Sequence, residues 1–285
     1  MARQGIMLCY PFDPKRLQKW GGEAIIQLKL NGERCRAMCY YDRVDLYSSE
    51  GNLIPFLPHI NKALSRLQLH GVELDGELYV HGFSLQDIHS IVSRKVNSHA
   101  LSSAMEYHIF DVVSEHPQKE RFTKLQIISQ IIRRVGATEE IKVVPPLMVR
   151  TDQEIERFLE EAMGAGYEGF VIRNPNALYQ RKRSTDIMKF KPHQEDVYEI
   201  VDSVEEVSIH GTPKQSLGAI VCKGDDDTLF NVGTGFTRDD RQNLWKEREA
   251  LVGKYLKVKF QTLSPGRRVP CHSVALQVLD LKAHQ

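Results

Sequence analysis

The sequence predicts an α+β protein of two domains, on three observations. Period-two and 3.6-residue apolar patterns alternate along residues 1–192, the texture turns almost wholly strand-like beyond Pro192-His193, and 285 residues are ample for two cores. Strand-like alternation runs through 24–30, 33–41, 44–48, 72–80, 106–113, 141–144, 168–173 and 186–191. Many of these strands are joined by short turns, which favours a mixed, largely antiparallel sheet over a doubly wound one. Between them, Leu57, Ile60, Leu64 and Leu67 form one helical stripe, and Leu125, Ile128, Ile132 and Val135 form another. Thr151-Asp152-Gln153-Glu154 is a capping box that opens a third helix, ending near Gly164 and Gly166.

Residues 193–285 read as strands 196–206, 218–223, 228–232, 254–262 and 268–280, with a helix from Arg238 to Glu249 before the fourth. Five strands with a helix in that position predict a small closed barrel of the oligonucleotide-binding type.

Composition is that of an ordinary globular chain, 41% hydrophobic and 26% charged. No apolar run approaches the roughly 18 residues that span a bilayer, and the start lacks a signal-peptide apolar region, so a soluble, cytoplasmic protein is expected, without membrane partners and as a monomer. Cys9, Cys35, Cys39, Cys222 and Cys271 are odd in number and show no Cys-x-x-Cys pair, which suggests neither disulfides nor a zinc site. A net charge of +1 means that any polyanion binding rests on local patches.

Those patches exist. Gln27-Leu28-Lys29-Leu30-Asn31-Gly32-Glu33-Arg34 puts a lysine at a strand end beside a glycine turn and an arginine, well placed to attack the α-phosphate of a nucleotide. Glu73, Asp75 and Glu77 alternate onto one strand face, an acidic row suited to a hydrated Mg²⁺ or to a ribose hydroxyl. Phe110 supplies an aromatic at a strand centre, read either as core or as a platform for a base. Glu168 stands just before a buried strand, and Lys189 and Lys191 share a strand face with Phe190 opposite. Arg181-Lys182-Arg183 is a basic triplet suited to phosphate.

In this order, the clusters resemble the six-motif signature of the covalent nucleotidyltransferases, and specifically of small ATP-dependent DNA ligases. Lys29 to Arg34 matches the first motif, Asp75-Gly76-Glu77-Leu78 the third, and the segment around Phe110 the motif that follows it. Glu168-Gly169 and Met188-Lys189-Phe190-Lys191 match the next two. Leu217 to Val221 and Val232 to Thr237 look ligase-like, and Arg267-Arg268-Val269-Pro270 resembles the last motif.

The resemblance implies an adenylation domain followed by an oligonucleotide-binding-fold barrel, with ATP and Mg²⁺ (or Mn²⁺) as cofactors and nicked duplex DNA as partner. It makes Lys29, Lys189 and Lys191 the catalytic lysines. Gln27, Arg34, Glu77 and Phe110 become nucleotide contacts, with Glu77 on the ribose and Phe110 on adenine. Glu168 and Asp75 become metal ligands, Ser49, Lys182 and Arg183 contacts to the nick 5′-phosphate, and Arg267 and Arg268 part of the last motif. A lysine with a pKa of about 10.4 is neutral in only about one molecule in 2,500 at pH 7, so nearby cations (Arg34, Lys189, Lys191, Mg²⁺) are expected to help free its lone pair.

Two positions depart from the pattern. Asn31 replaces the usual acid of the first motif, and Ser49 stands where an arginine commonly follows Ser48. The start so near Lys29 and the short Val207–Leu217 connection lead to the expectation of a minimal two-domain ligase that closes on DNA through its barrel. A capping-type guanylyltransferase, an RNA ligase and a non-catalytic nucleic-acid-binding relative are the competing readings.

Overall fold

The computed structural model describes residues 5–224, 226–264 and 268–280. The chain divides into two compact units, Met1–Lys191 and Pro192–Gln285.

The first unit contains β1 (Leu8–Pro11), α1 (Pro14–Gln18), β2 (Ala24–Leu28), β3 (Glu33–Cys39), β4 (Val44–Ser48), α2 (Pro58–Arg66), β5 (Val72–Tyr79), α3 (Leu85–Val92) and β6 (Glu106–Val113). There follow α4 (Gln118–Val135), β7 (Ile141–Val143), β8 (Leu147–Val149), α5 (Asp152–Gly164), β9 (Phe170–Arg173) and β10 (Arg183–Phe190). They build two five-stranded sheets, ordered β1-β10-β9-β2-β8 and β4-β3-β5-β6-β7. Only the β1/β10 and β6/β7 pairs are parallel among the described ladders of this unit.

β2 belongs to both cores. Ile25 faces the cluster formed with the second sheet and helices α2, α3 and α4, whereas Ala24 and Ile26 face a cluster with Phe170, Ile172, Met188 and Ile155 of α5. Phe170 and Phe190 stack at 5.1 Å in that second cluster, with Phe12 edge-on to both. The α2 stripe is buried throughout, and Thr151 closes the expected capping box with Glu154.

The second unit runs β11 (Gln194–Val207), β12 (Pro213–Lys223), β13 (Leu229–Val232), α6 (Arg238–Lys246), α7 (Arg248–Leu251), β14 (Tyr255–Phe260), β15 (Thr262–Leu263), β16 (Pro270–Cys271) and β17 (Val274–Leu279). Five of these strands form an antiparallel sheet, ordered β13-β12-β11-β14-β17, around Ile200, Leu217, Ile220, Val232, Leu256 and Val258. The expected closed barrel is corrected to an OB-like open one: among the described residues no strand ladder joins β13 to β17. The two ends still meet, because Ala275 N donates to Thr234 O at 2.8 Å. A Cβ on Gly235 would lie 2.3 Å from Ala275 O, so this approach requires glycine. The long strand 268–280 is split by His272, whose φ of 53° is left-handed, and the helix 238–249 breaks at Glu247.

Candidate active site

Lys29 leaves β2 as that strand ends, its backbone N–H bonded to Gly169 O at 2.9 Å. The chain then crosses from the first sheet to the second through Gly32, where a Cβ would sit 2.2 Å from Leu78 O. Only glycine lets this turn lie against β5, so the motif is spaced by a close approach of backbones. The crossover leaves a cleft of about 350 Å³ between the sheets. Gln27, Lys29, Arg173, Arg183, Lys189 and Lys191 line it from one side, and Arg34, Ser49, Glu77 and Phe110 from the other.

At the first sheet's end, Glu168 is ion-paired to both Lys29 and Lys191, through one carboxylate oxygen each. All three side chains are about one-fifth exposed. Lys29 Nζ also donates to Leu30 O at 3.3 Å, so its direct partners are acceptors rather than the cations expected from sequence. Burial, followed by the charge of Lys29, holds the Lys191 ammonium below its ordinary pKa. Gly169 has φ 140°, and a Cβ there would lie 2.2 Å from Phe190 O, which fixes the turn that presents Glu168.

The acidic row on β5 divides among three tasks. Glu73 accepts from Arg36 at 2.9 Å and from Arg181 at 2.5 and 2.9 Å. Asp75 is fully buried and takes a two-point bond from Arg34 (2.7 and 2.5 Å) and one from Tyr179 at 2.5 Å. Asp75, expected from the resemblance to be a metal ligand, here has both oxygens bonded to protein donors and anchors Arg34. Glu77 alone of the row lines the cleft, and burial pushes its carboxyl up to about 7 against the opposing pull of Arg34 and Lys29.

Phe110 lies against the guanidinium of Arg34, 4.8 Å from its ring centre, with that of Arg173 at 5.5 Å. Gln27 is 1% exposed. Its Nε2 donates to Phe110 O and Val144 O, and its Oε1 accepts from Arg173 Nε at 3.0 Å, tying the sheets together below the ring. Behind it the buried carboxylate of Asp111 accepts from Arg173 (3.1 Å) and Arg121 (2.9 Å). Sequence reasoning assigned no role to this buried group. Asp111 lay within one recognised strand and Arg173 at the end of another, but nothing in the helix containing Arg121 marked that residue as buried.

Of the basic triplet, Arg183 lines the cleft and donates to Cys9 O at 2.5 Å, whereas Arg181 is spent on Glu73 and Lys182 is not among the lining residues. Arg268 is exposed in the second unit with φ 50°, and Arg267 lies outside the described residues.

Among the described residues no three acidic, histidine or cysteine side chains converge to cage a metal. The donor set still fits Mg²⁺, which takes most of its ligands from water and phosphate oxygens and needs only one or two carboxylates. Glu168 is the residue suited to supply one, once released from its lysines.

A profile of the ATP-dependent DNA ligase domain matches residues 6–191, and one of the DNA ligase OB-like domain matches residues 210–273. The chain belongs to the ATP-dependent DNA ligase family. A DNA ligase of African swine fever virus (isolate Warthog/Namibia/Wart80/1980) is 29% identical over 281 residues, covering 92% of this chain. The chain spans 65% of that relative's length. Solved structures share the fold: one named Pmar-Lig aligns at TM-score 0.80 (22% identity, 96% of this chain, 67% of that one). A Lig E DNA ligase, described as binding DNA with a minimal scaffold, aligns at 0.71 (20% identity, 96% and 98%).

Proposed function

We propose that this protein is an ATP-dependent DNA ligase that seals nicks between a 3′-hydroxyl and a 5′-phosphate. The observation that carries the reading is the cleft itself, which sets Lys29 among Lys189, Lys191 and Glu168 and faces Glu77 and Phe110 across a space of nucleotide size.

Lys29 Nζ leaves Glu168, loses its proton and attacks the α-phosphorus of ATP. A P–N bond forms, the bond to the bridging oxygen breaks, and pyrophosphate departs. A 5′-phosphate oxygen at the nick then displaces Nζ, giving a DNA-adenylate joined through a pyrophosphate and returning the proton to Lys29. The 3′-hydroxyl finally attacks that 5′-phosphate and expels AMP. Each step is an in-line displacement at phosphorus, in which positioning and charge neutralisation dominate. Lys189 and Lys191 hold the phosphates, Glu77 accepts the ribose hydroxyls and Phe110 packs against adenine, with Arg34 and Gln27 fixing these two groups in place. Glu168 would hold Mg²⁺, which would supply further neutralisation of phosphate charge. Arg183, with Ser49 at the rim, meets the 5′-phosphate of the nick, and basic residues track the duplex backbone without reading sequence.

The deciding experiment incubates the protein with Mg²⁺ and α-labelled ATP or GTP, with Lys29→Ala as control, and then offers nicked duplex DNA. Label on Lys29 from ATP, followed by sealed product, supports ligation. Label from GTP alone identifies a capping-type enzyme, and label from neither identifies a binding module.

A further inference from the structure

The turn that presents Glu168 is built from residues that do not hold themselves in place. Gly164-Ala165-Gly166-Tyr167-Glu168-Gly169 leads from the end of α5 to the start of β9, and its glycines leave the backbone unusually free. Gly166 has φ 79° and Gly169 φ 140°, both in the region that favours glycine. Tyr167 N–H donates to Ala162 O at 2.9 Å, and Gly169 O accepts from Lys29 N–H. Tyr167 is the one large apolar side chain of the segment.

Its ring packs against the core of the second sheet rather than the first. It meets the His81 ring at 5.0 Å between centres and the Tyr79 ring at 6.5 Å. Tyr79, 5% exposed on β5, has its hydroxyl 2.8 Å from His81 Nδ1. A Cβ on Gly166 would lie 3.6 Å from the imidazole, so His81 covers Gly166 as well. Behind Tyr79, His108 of β6 packs edge-on at 5.3 Å and bonds Glu106 at 2.8 Å, and Glu106 pairs with Lys142 of β7 at 2.6 Å. Three strands therefore back the rings that meet the turn. None of Tyr79, His81, Tyr167 and His108 lines the cleft, so any effect they have on its chemistry passes through the backbone of Glu168.

We propose that Tyr167, clasped by His81 and Tyr79, is a positioning residue for Glu168. It holds the glycine-rich turn so that one carboxylate meets both Lys29 and Lys191. Tyr79 and Glu77 share a face of β5, so the clasp also refers the place of Glu168 to the strand that carries Glu77. Ordering one free backbone residue costs about a factor of ten in population, so a released turn places Glu168 correctly about a tenth as often. The inference deepens the ligase reading and takes from it only what Glu168 does for Lys29.

The test uses the full chain, with Tyr167→Phe, Tyr167→Leu, His81→Ala and Glu168→Gln, and with Tyr167→Leu combined with Glu168→Gln. Hydrogen exchange read by mass spectrometry, without nucleotide or metal, reports on the turn itself. Peptides covering residues 164–170 should exchange about tenfold faster in Tyr167→Leu and His81→Ala and at the wild-type rate in Tyr167→Phe, while peptides from α4 stay unchanged. In single-turnover lysyl-AMP formation from α-labelled ATP and Mg²⁺, Tyr167→Leu and His81→Ala should lose about tenfold in maximal rate with KM for ATP little changed, and Tyr167→Phe should keep the wild-type rate. In the Glu168→Gln background, Tyr167→Leu should cost nothing more. Unchanged exchange in Tyr167→Leu overturns the proposal, as does a Tyr167→Phe protein as slow as Tyr167→Leu or an undiminished loss in the Glu168→Gln background. Should Tyr167→Leu fold poorly, seen as faster exchange in α4, His81→Ala carries the test because it removes an exposed side chain. A wild type that forms no lysyl-AMP sinks the ligase reading alone, and the exchange rates still decide whether the clasp holds the turn.

Discussion

Glu77 stores strain that a single substitution releases. Its carboxyl is raised from an ordinary 4.5 to about 7, chiefly by burial and despite the nearby Arg34 and Lys29. A carboxyl raised in the folded state binds its proton more tightly there than in the unfolded chain. The folded protein is therefore unaffected below about pH 4.5, loses stability as pH climbs toward 7, and bears the whole cost above it. The shift corresponds to about 3 kcal/mol, and partial exposure to the cleft reduces the expected size to about 2 kcal/mol. Glu77→Gln keeps the shape and removes the charge. Urea unfolding of both proteins from pH 4.5 to 8.5 should show curves that coincide at the acidic end and separate by about 2 kcal/mol in favour of the variant at the alkaline end. The same variant should adenylate Lys29 poorly, because the ribose loses an anionic acceptor. A stability difference independent of pH, or a wild type more stable than Glu77→Gln at pH 8, refutes the reasoning.

Asp75→Asn strands Arg34 and should cost about 3 kcal/mol by chemical denaturation while leaving Mn²⁺ affinity unchanged, whereas a lost metal affinity would restore Asp75 as a ligand. Asp111→Asn leaves Arg121 and Arg173 without their shared carboxylate and should lower the melting temperature by 10 °C or more, on the order of 4 kcal/mol. Gly169→Ala displaces the Glu168 turn, and lysyl-AMP formation should fall about a hundredfold in rate assays under conditions where the protein stays folded. Binding to nicked duplex should weaken at least about tenfold between 50 and 200 mM salt in fluorescence anisotropy, and a flat response would exclude backbone contacts as its source.

The sequence exposed those features that depend on spacing along the chain. Period two located β2, β3 and β5, the α2 stripe is buried as its 3.6-residue spacing required, and Thr151 announced α5 through its cap. α3 escaped notice because eight residues are too short for a periodic stripe, although Ser84 and Asp87 form a complete capping box at its start. β1 and β8 escaped because four- and three-residue strands carry no pattern, and pairing with β10 and β2 is what makes them strands. At the cleft, alternation placed Glu73, Asp75 and Glu77 on one face but said nothing of the arginines opposite. Arg34 and Arg36 come from the neighbouring strand, and Arg181 and Tyr179 from more than a hundred residues away. Which acid remains available is a property of long-range pairing, and the row's three identical-looking members have different fates for that reason. Asp111 with Arg121 and Arg173 is the extreme case, a buried charge group assembled from three elements.

The division of the cleft between two sheets has a mechanical consequence. The proposed nucleophile, Lys29, follows β2, the proposed platform for the base, Phe110, stands on β6, and the side chain that spans them is Gln27. The distance from Phe110 to Lys29 is therefore a packing dimension of the core, set by Ile25 and its neighbours as a spacer sets the gap of a caliper. Enlarging or shrinking that spacer would retune the line of attack in a protein whose every cleft residue is unchanged.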